Sequence, residues 1–281
     1  MDGDDKLKPG SSGSRLPARG MLTIVMPALN EEDNVRAAVT NALKAFDDLK
    51  IGGEVIVVND GSTDGTEKIV REMMAAESRV RIVCHEKPRG IGASFWDGVD
   101  HARGEFVCML PGDNENDPWE IFRYYPLLLH VDLVIPFVFN KQVRSLFRNT
   151  LSFMYRFIIN TTFLVYFNYT NGTVMYRRSL LKELDFRSTG FFFQTDILVR
   201  TVKRGYLFAE VPYRLNVRTE GVSKAVSFPS LLQVMRGYIR LVRDYYFNKE
   251  VKPPAAYAEG SVTASRYADV PAAKRATQAE S

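Results

Sequence analysis

Two short apolar runs, each followed at once by a polar loop, decide the fold of this chain: IVMPALNEEDN at residues 24–34 and VIVVNDGSTDGT at residues 55–66. Each run has the length and the β-branched content of a buried strand. Apolar residues at helical spacing begin at Val35, and a second helix is predicted to begin near Thr66. The alternation continues over 80–110. Strands that alternate with helices predict an α/β fold with a mostly parallel sheet flanked by helices.

The composition is that of a globular protein, with 281 residues, 46% apolar and 25% charged residues, and a net charge of +4. These values exclude disordered, collagen-like and coiled-coil proteins. The stretches 1–20 and 249–281 are rich in Gly, Ser, Pro and Ala without apolar periodicity, so both are predicted to be disordered tails. One domain is therefore expected over 21–248. Cys84 and Cys108 lie in apolar runs, which predicts two buried thiols in a reducing compartment.

The polar loops that follow the predicted strands are where we expect ligand binding, because open α/β sheets bind ligands beyond the carboxyl ends of their strands. Asp60 directly follows the second strand. Its carboxylate could accept a hydrogen bond from a ribose hydroxyl or a base N–H. A capping role within the turn explains the residue equally well.

The loop PGDNENDP at 111–118 concentrates three carboxylates directly after an apolar strand. Mg²⁺ and Mn²⁺ take hard oxygen ligands, and alternate residues of an extended loop point to one side. Asp113 and Glu115 are therefore predicted to bind one divalent cation. The alternative is a solvated acidic turn. Asp117 is predicted instead to cap a helix that begins at Pro118.

The second half of the chain combines positive charge with large apolar residues. No Asp or Glu occurs between residues 133 and 182, whereas seven Lys or Arg residues do. This pattern predicts amphipathic membrane-interface helices within 133–169 and 226–246, facing anionic lipid. The alternative is a pair of packed helices with a solvated basic face. The sequence has no run of eighteen uninterrupted apolar residues, so a simple membrane span is not expected. Nucleic acid is not expected as a partner, because no nucleic-acid motif occurs.

A basic turn, RTEGVSK at 218–224, offers groups suited to phosphate. The Arg218 guanidinium can bind two phosphate oxygens, Lys224 adds a point charge, and Ser223 supplies a hydroxyl. By itself this signal is weak, since basic loops are usually solvated.

Several other motifs are missing from the sequence, including a Walker loop, a Cys/His metal cluster and a G-x-S-x-G elbow. The glycines at 90 and 92 do not form a dinucleotide fingerprint, since a third glycine is lacking. His85, His101 and His130 have no partner at a useful spacing, and we predict that all three are structural.

Taken together, the motifs at 24–34, 55–66, 89–118, 191–213 and 218–225 resemble those of the inverting family 2 glycosyltransferases of the GT-A fold. The R-x-x-G-x-S-K block after E-V-P is similar to the dolichol- or polyprenyl-phosphate sugar synthase branch. The resemblance implies a GT-A (Rossmann-like) sheet. It also implies a nucleotide-sugar pocket formed by Pro27, Leu29, Asn30, Glu31, Asp60, Gly92, Gly112 and Asp113.

The resemblance further implies the catalytic and metal residues. Asp113 would be the last carboxylate of the D-x-D motif of the family, and Glu115 stands where related enzymes supply a further metal ligand. The first acid of that motif is Pro111 here. Catalysis would involve Asp113, Asp196, Arg218 and Lys224. The acceptor phosphate would be bound by Arg144, Arg148, Arg218, Ser223 and Lys224.

The expected activity is inverting transfer of a sugar from a UDP- or GDP-linked donor to polyprenyl or dolichyl phosphate, assisted by Mg²⁺ or Mn²⁺. The protein would be peripheral on the cytoplasmic face of a membrane, in contact with anionic lipids, and family members often self-associate. One alternative is a hydroxyl acceptor with Asp196 as general base. Another, motivated by Pro111, is a non-catalytic sugar-nucleotide-binding protein.

Overall fold

One seven-stranded sheet organises the chain, and the computed structural model describes residues 20–140, 146–170, 172–214, 228–248 and 250–269. The strand order is β3-β2-β1-β4-β6-β5-β7. β1 to β4 are mutually parallel, and β5 is parallel to β7, whereas β6 runs antiparallel to both β4 and β5. The strands are β1 (Leu22–Ala28), β2 (Gly53–Asn59), β3 (Val80–Cys84), β4 (Phe106–Met109), β5 (Leu133–Val138), β6 (Met175–Arg177) and β7 (Phe208–Tyr213).

Helices cover both faces of this mostly parallel sheet, as the sequence predicts. Successive strand residues point to opposite faces, so Val25 packs into one core while Ile24 and Met26 pack into the other. A short 3-10 helix spans Tyr125–Leu129. The α-helices are α1 (Val35–Leu49), α2 (Thr66–Ala76), α3 (Ile91–His101), α4 (Pro118–Phe122), α5 (Leu146–Phe163), α6 (Arg178–Lys182), α7 (Phe193–Lys203), α8 (Phe228–Tyr246) and α9 (Val262–Ala268).

The predicted interface helix over 133–169 is wrong in its first part. Residues Leu133–Val138 form the buried strand β5, which pairs with β7 over six residues. A continuous apolar run of this length suits a strand that is covered on both faces. The helix α5 begins only at Leu146. The predicted helix at 226–246 is present as α8.

The predicted disordered tail over 249–281 is also wrong where the structure describes it, at 250–269. The carboxylate of Asp132, buried at the amino end of β5, accepts hydrogen bonds from the Val262 and Thr263 N–H groups at the start of α9. The Tyr257 ring packs edge-on against Tyr206. These long-range anchors outweigh the polar, proline-containing composition of the segment.

The two cysteines differ in exposure. Cys108 is buried in β4, as predicted, but Cys84 is exposed at the end of β3. In the sheet order β3 is a terminal strand, which leaves its end open to solvent. The prediction of two buried thiols is therefore wrong for Cys84.

Candidate functional site

The loops after β1 and β2 are joined to one another at the carboxyl edge of the sheet. The Asn30 N–H donates to Ser62 Oγ at 2.9 Å, and the Thr63 N–H donates back to Asn30 Oδ1 at 2.9 Å. Asn30 adopts a left-handed conformation with a φ of 56°, which asparagine tolerates better than most residues. These reciprocal bonds fix the loop that carries the predicted pocket residues Leu29, Asn30 and Glu31.

Side chains at the start of α2 stabilise the same loops. The Glu31 N–H donates to Thr66 Oγ1 at 2.8 Å, and Asp64 accepts from the Thr66 N–H and hydroxyl. Partial burial raises the pKa of Asp64, but the hydrogen bonds from Thr66 and from the Glu32 N–H outweigh it and hold that pKa below its usual value. Asp64 therefore stabilises the turn that leads into α2.

The Asp60 carboxylate is buried and already bonded within the protein. Its Oδ1 accepts from the Arg89 N–H at 2.8 Å, and its Oδ2 accepts from the Gly90 N–H at 2.9 Å. His85 Nδ1 lies 2.7 Å from Oδ1 as well. Asp60 thus links the loop after β2 to the loop that leads into α3.

His85 has partners that sequence spacing did not reveal. Its Nε2 lies 2.8 Å from Asp97 Oδ2, and Arg89 Nη1 contacts the same carboxylate oxygen at 2.5 Å. The absence of partners predicted for this histidine is wrong. A signal was present, since Asp60 and His85 each directly follow one of two strands that proved to be adjacent and parallel.

The acidic loop continues from β4 beside the end of β1. The Gly112 N–H donates to the Pro27 carbonyl at 3.0 Å, which joins two predicted pocket residues. Asp113 is partly exposed, and its Oδ1 accepts from the Glu115 N–H at 3.1 Å. Asp117 accepts from the Trp119 N–H at the start of α4, so the predicted cap is confirmed.

A divalent cation fits the donor chemistry of this loop. Asp113 and Glu115 supply hard carboxylate oxygens at the edge where ligands of such sheets bind. Among the described residues there is no cluster of three His, Cys, Asp or Glu side chains that could hold a metal. Two protein carboxylates would therefore leave the remaining coordination positions to water or to the diphosphate of a substrate.

Gly92 lies at a packing contact within the protein. Its N–H donates to the Thr189 carbonyl at 3.0 Å, and a Cβ at this position would lie 2.6 Å from that oxygen. The glycine is needed because the loop at 188–190 crosses directly over the start of α3. Its N–H is therefore bonded within the protein, and a place for Gly92 in the nucleotide pocket stays a prediction.

Asp196 lies in the first turn of α7 and is buried. Its Oδ2 accepts from Arg200 Nε at 3.0 Å, and Arg200 Nη2 donates to Asp244 Oδ2 at 2.6 Å. Burial raises the pKa of Asp196 to about 6 despite the nearby guanidinium. The Asp196 carboxylate is thus bonded inside the protein between α7 and α8.

The predicted acceptor-phosphate residues fall outside the described parts of the structure. Arg144, Arg218, Ser223 and Lys224 belong to the segments 141–145 and 215–227, and the structure describes the backbone but not the side chain of Arg148. Their contribution to the site stays a prediction.

The fold is shared with solved glycosyltransferase structures. Glucosyl-3-phosphoglycerate synthase from Mycobacterium tuberculosis, in complex with Mn²⁺, UDP and glucosyl-3-phosphoglycerate, superposes with a TM-score of 0.58 at 22% identity, covering 79% of this chain and 80% of that one. The structure of the same enzyme with UDP gives a TM-score of 0.60, covering 79% of this chain and 80% of that one. The sheet and its joined loops are those of a GT-A glycosyltransferase.

The family model for glycosyl transferase family 2 matches residues 23–185, and this chain belongs to that family. Polyprenol monophosphomannose synthase from Mycolicibacterium smegmatis is 29% identical over 220 residues, 72% of this chain and 79% of that protein. Undecaprenyl-phosphate 4-deoxy-4-formamido-L-arabinose transferase from Aeromonas hydrophila is 31% identical over 47% of this chain and 41% of its own length. Dodecaprenyl-phosphate galacturonate synthase from Rhizobium johnstonii is 29% identical over 61% of this chain and 52% of its own length. The chain is a glycosyltransferase.

Proposed function

We propose that this enzyme transfers a sugar, with inversion, from a UDP- or GDP-linked donor to a polyprenyl or dolichyl phosphate at the cytoplasmic face of a membrane. One observation carries the proposal. In a family 2 chain, the loops bearing Asn30, Asp60 and Asp113 meet at one edge of the sheet, where α/β sheets bind their ligands. The named relatives that use polyprenyl phosphates support this choice of acceptor.

On the donor side, the joined loops would receive the nucleotide. The loop at 29–31 would line the pocket, and Asp60 would accept one hydrogen bond from the base or ribose. Asp113 and Glu115 would hold Mg²⁺ or Mn²⁺, ions that are present in solved structures of the same fold. When bound, such an ion neutralises charge on the leaving diphosphate.

On the acceptor side, the buried position of Asp196 favours a phosphate over a hydroxyl. A hydroxyl acceptor needs a general base within hydrogen-bond reach. The carboxylate of Asp196 is instead enclosed and bonded to Arg200. A phosphate monoester is already anionic near neutral pH and needs no strong base. Arg218, Ser223 and Lys224, with Arg144 or Arg148, would hold its charge.

Membrane attachment would use what we call the α5–α8 face, the exposed surface of two helices that meet at the carboxyl-terminal end of α5. Thr162 Oγ1 and the Tyr238 hydroxyl are 2.8 Å apart, and Phe163 packs edge-on against Tyr245. The exposed apolar residues of this face are Leu151, Phe153, Met154, Phe157, Ile158, Leu231, Met235 and Ile239.

Positive charge accompanies the apolar residues of the α5–α8 face. Arg236, Arg240 and Arg243 are exposed along α8, and the Arg156 guanidinium lies 5.7 Å from the centre of the Phe153 ring. Exposed aromatic and aliphatic side chains bordered by arginines suit a bilayer surface with anionic headgroups. Within the described residues, no helix is long and apolar enough to cross a bilayer.

The test is radiolabelled transfer from a panel of UDP- and GDP-sugars to polyprenyl phosphate in detergent, with Mn²⁺ or with EDTA. We expect label in the organic phase only when the metal is present, and the productive donor identifies the sugar. Donor binding without a lipid product would refute the phosphate acceptor. The same panel with glycan and glycolipid acceptors would then separate a hydroxyl-specific transferase from a non-catalytic binding protein.

A further inference from the structure

His85 forms a buried bridge between two carboxylates at the predicted nucleotide pocket. We propose that His85 is a positioning residue for the sugar-nucleotide: its ring ties Asp60 to Asp97 and thereby aims the Asp60 carboxylate at the donor. This inference rests on the proposed function in so far as it assigns the donor site to Asp60. The bridge itself is a property of the folded chain.

Hydrogen-bond accounting indicates what Asp60 has left to offer. An ionised carboxylate has about four lone-pair positions. On Oδ1, His85 Nδ1 and the Arg89 N–H occupy two of them, and the Gly90 N–H occupies one on Oδ2. With respect to the described residues, a single position remains, on Oδ2, and Asp60 is only 5% exposed. Asp60 can therefore accept one further hydrogen bond, which suits a single base N–H or ribose hydroxyl.

The ring is held at both of its nitrogens. His85 Nδ1 lies 2.7 Å from Asp60 Oδ1, and Nε2 lies 2.8 Å from Asp97 Oδ2. The side chain is 5% exposed, so little water is present to replace either contact. The two contacts therefore fix the orientation of the ring between the carboxylates.

The bridge is one part of a short series of side chains in contact. The order is Asp60, His85, Asp97 and Arg89, with Arg89 Nη1 2.5 Å from Asp97 Oδ2. Asp60 and His85 directly follow β2 and β3, and Asp97 lies in α3. Arg89 lies in the loop between β3 and α3. Arg89 also donates its N–H to Asp60. The series thus closes on itself and fixes three elements around one carboxylate.

The backbone beside Asp60 has no room to absorb a shift. Gly61 has a φ of 75°, and a Cβ there would lie 2.8 Å from the Lys87 carbonyl carbon. The turn at 60–61 and the loop at 87–90 are therefore in direct contact. Any change in the position of the Asp60 carboxylate after loss of the His85 bridge would therefore also displace the Arg89 and Gly90 N–H groups that bond to it.

The first test is the environment of the ring, which needs no substrate. The chain has three histidines, so selective ¹⁵N-histidine labelling of the full chain gives three ring spectra, and His85→Gln identifies the relevant one. We expect the His85 ring resonances to shift in Asp97→Asn, because one of the two ring contacts is altered, while those of the exposed His130 stay unchanged. Unchanged His85 resonances in folded Asp97→Asn would overturn the proposal.

The second test is binding of UDP and GDP with Mg²⁺, measured by calorimetry. We expect His85→Gln and Asp97→Asn each to weaken the nucleotide that binds by about 10-fold, the range of a lost charge-assisted hydrogen bond. In the transfer assay the donor KM should rise by a similar factor while kcat changes by less than about threefold. The exposed His130, changed to Asn, is the matched control and should bind like the unmodified chain.

The outcomes distinguish failure of the proposed donor site from failure of the positioning role of His85. Failure of the unmodified chain to bind either nucleotide would refute the proposed donor, while the ring spectrum would still decide the bridge. Unchanged binding and KM in folded His85→Gln and Asp97→Asn would refute the positioning role. Should His85→Gln fail to fold, Asp97→Asn alone supplies the same comparison, because it removes the far end of the bridge and leaves the ring in place.

Discussion

Asp244 on α8 accepts a 2.6 Å hydrogen bond from Arg200 on α7, and both side chains are almost completely buried. The same guanidinium holds Asp196. The helix that carries half of the α5–α8 face is therefore fastened to the protein by a buried ion pair as well as by apolar contacts. Removing Asp244 would take one of two buried carboxylates from Arg200 and leave the guanidinium bonded to Asp196.

We expect Asp244→Ala to lower the free energy of unfolding by roughly 1 to 3 kcal/mol, because Arg200 loses one buried charge-assisted hydrogen bond but keeps Asp196. The measurement is urea denaturation at pH 7.5 with unchanged slope. The exposed Asp48→Ala is the control and should change stability by less than about 0.5 kcal/mol. Equal stabilities of the two variants would show that Arg200 does not need Asp244.

A pH dependence follows from Asp196. Burial raises its pKa in the folded chain to about 6 from a usual value near 3.8. Between these values the folded state binds more protons than the unfolded state, so this residue makes stability fall as pH rises from about 4 to about 6. The contribution is on the order of 2 to 3 kcal/mol. Comparing unfolding of the unmodified chain with Asp196→Asn at pH 4.5 and 7.5 isolates it. An identical pH dependence in both would contradict the assignment.

The acidic loop provides its own matched control. Asp113→Asn should reduce metal-dependent transfer by about 100-fold or more, because a carboxylate ligand is lost, without lowering the melting temperature. Asp117→Asn removes the same charge four residues away, and asparagine caps a helix as well as aspartate does. It should retain turnover and stability. Undiminished transfer in folded Asp113→Asn would refute the metal assignment.

The α5–α8 face should bind vesicles through both its apolar and its basic residues. Phe157→Ser combined with Ile239→Ser should weaken binding to phosphatidylglycerol vesicles by at least about 10-fold. The reason is that each apolar side chain contributes about 1.5 to 3 kcal/mol when it is transferred from water into the bilayer. Co-sedimentation measures this. Met74→Ser, an exposed apolar position on α2, is the control. Equal binding by both variants would place the contact surface elsewhere.

The docking of α9 can be tested with one hydroxyl. Thr263 Oγ1 accepts from the Leu207 N–H at 3.0 Å and donates to Asp132, so Thr263→Val removes the hydrogen bond of the Leu207 N–H and one of those that the buried Asp132 carboxylate accepts. We expect a loss of about 1 to 3 kcal/mol and faster proteolysis within 250–261. Ser265→Ala, on the exposed side of the same helix, should show neither effect.

The first half of the fold was predictable because its signals are local. The strands and polar loops from Leu22 to Met109 follow one another with clear boundaries, and the cap at Asp117 is legible from the Asp-Pro step. The position of β6 was not predictable from the sequence, because a three-residue strand gains its stability from its neighbours β4 and β5. The strand at Leu133–Val138 was missed because a short apolar run suits a strand and a buried helix equally well.

The candidate site was predicted as a set of loops but not as a network of contacts. Asn30, Asp60 and Asp113 could be located because each follows a strand. The partners of His85 lie 25 and 12 residues away and depend on strand order, which spacing along the chain does not encode. The catalytic role of Asp196 was implied by the resemblance and stays a prediction, whereas only the structure shows that Asp196 shares Arg200 with Asp244 on α8.

Cys84 offers a single position for fluorescent labelling of this enzyme. It is exposed at the end of β3, directly before His85, whereas Cys108 is fully buried. A thiol-reactive fluorophore should therefore label one position of the unmodified chain, beside the predicted nucleotide pocket. Partial burial and the nearby Glu67 raise the pKa of this thiol, so labelling calls for mildly alkaline buffer. Nucleotide arrival could then be followed in real time, before any acceptor lipid has been identified.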